Sequence, residues 1–227
     1  MLFRSTVSED NDGNVWLSTS IGPLYLTPTD VQNGRATQHK VPRNDGTDLA
    51  DYLLTNVEIR CVRADGANRK WIGTSDGVFL ISADCNKLVQ HFTTSNSSLL
   101  SNIVNDILVD ANSNIVYFAT DNGLCSYASD ATQPAETMDK DNVYAYPNPV
   151  TPDYTGDVTI VGLSFDADVK IVTSNGSLVN TGRSTGGTYR WNGRDLKGKR
   201  VASGVYMVET ATQNGGKGVV CKIAIVN

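Results

Sequence analysis

Three segments of the chain share one arrangement of apolar and polar positions. They begin at Asn14, Arg69 and Ile115, and in each an aromatic residue is followed three positions later by threonine and six positions later by glycine. The resulting anchors are Trp16, Thr19 and Gly22, then Trp71, Thr74 and Gly77, then Tyr117, Thr120 and Gly123. The aromatic anchors lie 55 and 46 residues apart, and the runs around them are strand-like with almost no helical periodicity. This pattern predicts repeats of short β-strands.

The second segment contains all four strands of a propeller blade: VEIRCVRAD, KWIGTS, GVFLISA and KLVQHFT. The aromatic anchor is predicted to fill the space between adjacent blades, the threonine suits a half-buried pleated surface, and the glycine permits a positive φ in the following turn. The third segment passes into polar sequence before its fourth strand. Because three blades cannot close a ring, residues 1–131 are predicted to be the C-terminal blades of a longer propeller with exposed edges.

A second module is predicted after a polar linker, residues 132–142. Residues 143–227 contain about seven strand-like runs in about 85 residues, a spacing typical of a β-sandwich. Asn175-Gly176 separates two alternating runs and predicts a hairpin with a type I′ turn, which needs positive φ at both central positions. Three prolines occur within residues 146–152, and they favour a rigid start to this module. The predicted fold class is therefore all-β: a partial propeller of about three blades followed by an immunoglobulin-like sandwich.

Composition and charge narrow the function classes. The net charge is −5, which argues against a protein that binds nucleic acid through a basic surface. From Val143 onward nine Lys or Arg stand against six Asp or Glu, a net +3 that leaves −8 for the preceding residues. No apolar run is long enough for a membrane span, and the start of the chain lacks the apolar region of a secretory signal. If the protein is exported, its beginning is expected to be missing here.

The four cysteines do not form a metal or redox motif. No two of them form a CxxC pair, and none has a neighbouring histidine; they are Cys61, Cys85, Cys125 and Cys221. Cys61 and Cys221 alternate with aliphatic residues, which indicates small buried side chains. A disulfide between Cys61 and Cys85 remains an alternative.

A basic run in the second module is the candidate partner-binding site. It comprises Arg190, Arg194, Lys197, Lys199 and Arg200, opposed only by Asp195. Such a cluster can bind a lipid phosphate or an acidic protein surface. The alternative interpretation is a solvated hairpin. Trp191, within the run, is predicted to belong to the sandwich core rather than to a sugar platform.

Two loops place oxygen ligands at alternate positions, as calcium loops do. The candidates are Asp10, Asp12, Asp110 and Asn112. A β-turn rich in Asp, Asn and Gly explains the same residues, and no glutamate completes a twelve-residue calcium loop. We therefore predict no bound metal and no other cofactor.

Catalysis has little support in the sequence. His39 and His91 are the two histidines, and neither has a nucleophile or carboxylate at a recognisable motif spacing. A glycosidase would need a pair of placed carboxylates, which a partial propeller cannot present. We therefore predict that the protein is not an enzyme.

The first module resembles the two-component regulator propeller repeat of bacterial sensor ectodomains and secreted proteins. The matching positions are Asp65, Gly66, Trp71, Ile72, Gly73, Thr74, Gly77 and Val78, with three units over about 130 residues. Ser18 and Ala119 replace Gly73 in the other units, and the third hairpin is one residue longer.

The second module resembles the C-terminal sorting domain of type IX secretion and related immunoglobulin-type domains. The matching residues are Tyr146, Pro147, Asn148 and Pro149, then Asn175 and Gly176, Trp191, Asn192 and Gly193, Gly198, and Gly204, Val205 and Tyr206. The resemblance implies export across the outer membrane of a Gram-negative cell. The two modules together resemble surface components of the type IX machinery that retain the domain and work with the sortase complex attaching cargo to anionic lipopolysaccharide.

Three functions therefore compete. The first is a non-enzymatic component of the secretion and attachment machinery that binds partner proteins or lipopolysaccharide. The second is an exported glycan-binding or glycan-active cargo, and the third is a periplasmic sensor ectodomain. The third is disfavoured because a sensor propeller should lead toward a membrane span, whereas this chain ends in a predicted strand.

Overall fold

The computed structural model describes residues 6–43, 45–110 and 112–227. Residues 1–5, part of the N-terminal segment considered above for a secretory signal, lie outside the described residues. The protein is 47% strand and 3% helix, which confirms the predicted all-β class. The chain forms two compact units, Met1–Ser129 and Asp130–Asn227.

The first unit contains three antiparallel sheets of three or four strands that follow one another along the chain, and one two-stranded sheet. The first sheet has the order β1 (Val7–Glu9), β2 (Val15–Leu17), β3 (Leu24–Leu26) and β4 (Thr37–Gln38). The second sheet comprises β7 (Ile59–Ala64), β8 (Lys70–Thr74), β9 (Gly77–Ile81) and β10 (Leu88–Phe92). The third sheet comprises β11 (Val104–Asp110), β12 (Ile115–Thr120) and β13 (Gly123–Ala128). These are the three predicted blades, and the third has three strands within the described residues.

A helix lies between β3 and β4 of the first blade, a small extra hairpin follows β4, and neither was predicted from the sequence. Helix α1 spans Pro28–Asn33, and the hairpin pairs β5 (Lys40–Pro42) with β6 (Ala50–Tyr52). Thr27 caps the helix by accepting a hydrogen bond from the Asp30 amide, and Gly34 ends it at φ 63°. Six residues are too few to show a helical period. No helix in the described ranges is long and apolar enough to cross a membrane.

Two apolar clusters join neighbouring sheets of the first unit. Trp16 lies with Ile72 and Phe79 in the cluster shared by the first and second sheets. Trp71 lies with Phe118 in the cluster shared by the second and third sheets. Strand alternation therefore sends the two faces of the second sheet into two different cores. Tyr117, one position before Phe118, faces away from the second sheet and is half-buried.

All four cysteines are free, so the disulfide considered between Cys61 and Cys85 is not formed. Cys61 is fully buried between the second and third sheets, and burial raises the pKa of its thiol to about 12. Cys221 is half-buried at the edge of the second unit's core, where burial raises its pKa to about 11. Both thiols are therefore protonated and unreactive at neutral pH.

The second unit is a sandwich of two antiparallel sheets with seven strands, as predicted. One sheet has the order β14 (Tyr144–Tyr146), β15 (Val158–Val161) and β18 (Tyr189–Trp191). The other has the order β17 (Leu178–Arg183), β16 (Asp168–Thr173), β19 (Gly204–Ala211) and β20 (Lys217–Ile225). Alternate residues of both sheets, among them Ile160, Ile171, Trp191 and Ile223, fill one core.

Two details of the second unit differ from the sequence prediction. The segment predicted as a linker, 132–142, is bonded to the sandwich: the Ala135 amide donates to Leu163 at 2.8 Å and the Gly187 amide donates to Thr132 at 3.0 Å. The prediction of a type I′ turn at Asn175-Gly176 is wrong, since Gly176 has a φ of 84° but Asn175 does not have a positive φ. The Gly176 amide donates to the Thr173 carbonyl at 2.9 Å. The loop is thus a type I turn followed by a left-handed glycine.

Candidate binding surface of the second unit

The predicted basic run begins with Arg190 in β18 and continues after that strand as a tight exposed loop. The Asp195 carboxylate holds this loop, accepting hydrogen bonds from the amides of Lys197 and Lys199, each at 2.9 Å. The Gly198 amide donates to the Asp195 carbonyl, also at 2.9 Å, and Gly198 has a φ of 79°. The single acidic residue of the run is therefore occupied by backbone donors, and the side chains of Arg194, Lys197, Lys199 and Arg200 are exposed. We call residues 190–200 the basic loop.

The basic loop is fixed to the sandwich core by residues of the predicted sorting motif. Trp191 is 1% exposed, and its indole N–H donates to the Arg194 carbonyl at 2.8 Å. The Tyr206 ring packs 5.7 Å from the Trp191 ring, and its hydroxyl donates to the Ala202 carbonyl at 2.8 Å. Trp191 thus lies in the core, as the sequence indicated, and supports the loop from beneath.

Four cationic side chains of the loop, those of Arg194, Lys197, Lys199 and Arg200, are available to an external anion. All four are exposed. Arg194 donates to the Gly198 carbonyl at 2.8 Å, and Arg200 donates to the Asn227 side chain at 3.2 Å. Within the described part of the chain, neither of these arginines nor Lys197 and Lys199 is ion-paired with a carboxylate. Their positive charge is therefore not neutralised inside the unit.

A cleft of about 520 Å³ adjoins the basic loop. Lys199 and Arg200 line it on one side, and Ser177 of the 173–177 turn and Tyr206 also contribute to its walls. Two cations next to hydroxyl and amide groups can bind a carboxylate or phosphate group by charge-assisted hydrogen bonds. The cations could be predicted from the sequence but the cleft could not, because the cleft forms from turns far apart in the chain.

The segment Tyr146–Pro149 covers part of the edge of β20. The Asn148 side chain donates to the Lys222 carbonyl at 2.8 Å and accepts from the Ala224 amide at 2.9 Å. Val150 continues this pairing, since its amide donates to Ala224 at 2.8 Å and its carbonyl accepts from Val226 at 2.9 Å. Asn148 therefore imitates a peptide group of an adjacent strand, a role that its position in the motif did not reveal.

Replacing Asn148 by alanine is expected to expose the Lys222 carbonyl and the Ala224 amide to water. We expect a loss of about 1 kcal/mol in the unfolding free energy of the second unit, the usual net contribution of such hydrogen bonds. Amide hydrogen exchange should become faster at Ala224 but not at Val208 in the neighbouring strand β19. Asn148→Asp is the matched control, because it keeps the acceptor for Ala224 and removes only the donor. Unchanged exchange at Ala224 in the alanine variant would show that this contact does not stabilise the edge.

The repeated anchors of the first unit form the same contacts in each blade. The threonine hydroxyl donates to the carbonyl of the anchor glycine at 2.5, 2.9 and 2.8 Å for Thr19, Thr74 and Thr120. Gly22, Gly77 and Gly123 have φ values of 120°, 96° and 125°. The threonine thus closes the turn that the glycine makes possible. The anchors are structural parts of the blades.

The calcium candidates are hydrogen-bonded within their own turns. Asp10 accepts from the amides of Asp12 and Asn14, each at 3.0 Å, and Lys70 Nζ lies 3.2 Å from its second carboxylate oxygen. Asp110 accepts from the Asn112 amide at 3.0 Å, while Ala111 lies outside the described residues. A lysine ammonium already beside Asp10 disfavours a second cation there. No group of three or more His, Cys, Asp or Glu side chains arranged to hold a metal occurs in the described ranges.

Both histidines contact groups of the blade surface. His91 Nε2 donates to the Asp76 carbonyl at 2.6 Å, and its ring stacks on Phe79 with 3.9 Å between centroids. His39 Nε2 lies 3.1 Å from the Asn86 side-chain oxygen. Neither histidine is bonded to a serine, threonine or cysteine nucleophile in the described part of the chain.

These features define an all-β protein that joins propeller blades to an immunoglobulin-like sandwich. The chain is similar to PorZ of Porphyromonas gingivalis, described as an essential bacterial surface component of the type-IX secretion system. The two share 30% sequence identity with a TM-score of 0.62, over 97% of this chain and 30% of the PorZ chain. The chain therefore spans less than a third of that relative. This similarity confirms the resemblance inferred from the sequence motifs.

Weaker similarities extend to extracellular domains of two putative hybrid two-component systems of B. thetaiotaomicron. The BT4673 domain is 14% identical with a TM-score of 0.31, over 98% of this chain and 36% of its own. The BT3049 domain is 12% identical with a TM-score of 0.33, over 96% and 49%. No protein-family model and no curated protein matches the chain.

Proposed function

We propose that this chain is part of an exported, non-enzymatic surface component of a type IX secretion and attachment machinery. The observation that supports this most is the similarity to PorZ over 97% of the chain, which includes both units. The protein would be placed at the outer-membrane surface of a Gram-negative bacterium. It would act by binding proteins of the secretion machinery or sortase complex, or anionic lipopolysaccharide.

The basic loop is the part of the chain that we propose for this binding. Its cations are exposed, its one carboxylate is occupied by backbone amides, and Lys199 and Arg200 line the adjoining cleft. Lipopolysaccharide phosphates and acidic protein surfaces both offer the negative oxygens that such cations bind. The loop rests on a buried tryptophan, so its geometry is fixed before any ligand arrives.

Replacing Arg194, Lys197, Lys199 and Arg200 by serine tests this proposal. Each position is exposed, so we expect a change of no more than about 0.5 kcal/mol per position in unfolding free energy. Binding to purified anionic lipopolysaccharide should weaken by about tenfold or more, since one lost charge-assisted hydrogen bond already approaches that factor. The difference between the variant and the unmodified chain should shrink as salt is added.

A second quadruple variant controls for net charge. Arg35, Lys87, Lys140 and Lys170 are also exposed, and their replacement by serine removes the same four charges from other places. We expect this variant to bind nearly as well as the unmodified chain. In host cells carrying the full-length protein, only the basic-loop variant should reduce attachment of cargo to the surface. If the basic-loop variant binds lipopolysaccharide as well as the unmodified chain and attaches cargo normally, the loop is a solvated hairpin with no binding role.

A further inference from the structure

The outer edge of strand β20 is covered over only part of its length. The pairing with Asn148 and Val150 involves Lys222, Ala224 and Val226, so these even-numbered residues direct backbone groups away from β19. The alternation of a strand then places the backbone amide and carbonyl of Val220 on the same outer edge. Within the described residues, neither group of Val220 has a hydrogen-bond partner on that side.

The core of the sandwich is also open next to this uncovered stretch. Val219 and Cys221 point toward the core and pack against it, yet both are only half-buried. On the opposite face, Val220 is 50% exposed. Further along β20, beyond Lys222, the core-facing Ile223 is fully buried. Ile223 is more buried than Val219 and Cys221 because the segment with Asn148 and Val150 adjoins only the C-terminal half of β20.

From this geometry we infer that β20 at Gly218–Lys222 accepts an extended segment of a partner protein as an additional strand. The main-chain groups of Val220 and the Lys222 amide provide the hydrogen bonds, as in other complexes formed by strand addition. Apolar side chains on one face of the added segment would cover Val219 and Cys221. Side chains on the other face would lie beside Val220 and the exposed Lys222.

The charge of β20 favours an acidic segment from another protein over a second copy of this chain. Within the uncovered stretch Gly218–Lys222 the charged residue is Lys222, and no acidic residue occurs there. Pairing two copies edge to edge would bring like charges together, which destabilises cross-strand neighbours. A segment in which apolar and acidic residues alternate matches both the open core and Lys222. This inference does not depend on anion binding by the basic loop, so either can fail alone.

The test uses the full chain and a labelled, terminally blocked nonapeptide of alternating valine and glutamate. Fluorescence anisotropy should detect binding, and amide hydrogen exchange should slow at Val220 and Lys222 when the peptide is present. A peptide with lysine in place of glutamate should bind more weakly at low salt. Val220→Pro removes an amide that is not part of the ladder with β19, and should weaken binding by about tenfold or more. Val220→Thr keeps that amide and should bind nearly as well as the unmodified chain.

Several results would overturn the inference. Exchange that slows elsewhere but not at Val220 and Lys222 would show that the edge is not the binding surface. Equal affinity of Val220→Pro and Val220→Thr, or equal affinity for the two peptides, would contradict strand addition by an acidic segment. Self-association of the chain that Val220→Pro abolishes would identify a second copy as the occupant instead. If Val220→Pro does not fold, the exchange measurement on the unmodified chain still decides the question.

Discussion

Replacing Trp71 by alanine is expected to lower the unfolding free energy of the first unit by about 3–5 kcal/mol, the range for truncating a large buried aromatic side chain. Trp71 is completely buried between the second and third sheets. Its ring lies 5.7 Å from that of Phe92 and 5.8 Å from that of Phe118. The indole N–H also donates to the Asp65 carboxylate at 3.1 Å. The substitution would therefore leave a cavity where two blades meet.

The equivalent anchor of the third sheet is the matched control. Tyr117 occupies the same repeat position but is half-buried, so Tyr117→Ala should destabilise the unit by roughly 1 kcal/mol, typical of a less disruptive substitution. Chemical denaturation should be monitored by amide exchange in β8 and β9, which distinguishes unfolding of the first unit from unfolding of the second. Trp71→Phe should recover most of the lost stability, since it restores the ring but not the hydrogen bond to Asp65. If Trp71→Ala and Tyr117→Ala have equal effects, the tryptophan does not hold the blades together.

Those repeat anchors explain why so much of the first unit could be predicted. A blade needs an aromatic side chain toward its neighbour, a glycine at a positive φ, and alternating strands, and each requirement is local in sequence. The contribution of threonine was only partly predicted. Its pattern suggested a pleated surface residue, whereas its hydroxyl bonds the carbonyl of the glycine three positions later. The recurrence of Thr-x-x-Gly was visible, but its mechanism required the turn geometry.

Features that combine distant segments could not be predicted in the same way. Asn148 was identified by its motif, yet its partner Lys222 is 74 residues away and the contact involves backbone atoms that no side-chain pattern reports. The cleft beside the basic loop also depends on turns from separate hairpins. The Asn175-Gly176 pair correctly predicted a hairpin but predicted the wrong type of turn. A strong local preference for type I′ gave way to a loop in which Gly176 alone takes the positive φ.

The ion pair between Asp10 and Lys70 is another long-range contact, and it connects the first two sheets inside their shared core. Lys70 Nζ lies 3.2 Å from Asp10 Oδ2, and the two side chains are 2% and 1% exposed. The ammonium also donates to the Asn68 carbonyl at 2.8 Å and lies 5.6 Å from the centre of the Trp16 ring. The Trp16 indole donates to the same Asp10 oxygen at 2.8 Å. Every charge here is paired and hydrogen-bonded, as burial requires.

Lys70→Ala is expected to lower the unfolding free energy of the first unit by about 3–5 kcal/mol, because it leaves a buried carboxylate without its cation. Asp10→Ala should have a similar effect for the opposite reason. The double variant should be less destabilised than the sum of the two, since neither charge then remains alone. The matched control is Arg43→Ala, which breaks an exposed ion pair with Asp51 whose closest distance is 2.7 Å. That change should leave the unfolding midpoint almost unaffected. Additive effects in the double variant would contradict a coupled pair.

The same pair predicts how acid affects the first unit. Burial opposes ionisation of Asp10, but the hydrogen bonds from Trp16 and Asn14 and the charge of Lys70 outweigh it, and they lower the pKa of the carboxyl below its usual value. A carboxyl whose pKa is lower in the folded than in the unfolded state stabilises the fold at pH values above its unfolded pKa, near 3.9. That contribution is lost as the pH falls through the folded pKa. When unfolding free energies are measured from pH 6 downward, the contribution of Asp10 should therefore decline below about pH 3.9. The decline at the lowest pH should be smaller in Asp10→Asn, which has no proton to take up at this position. Parallel pH profiles for the two proteins would show that Asp10 does not contribute to acid sensitivity.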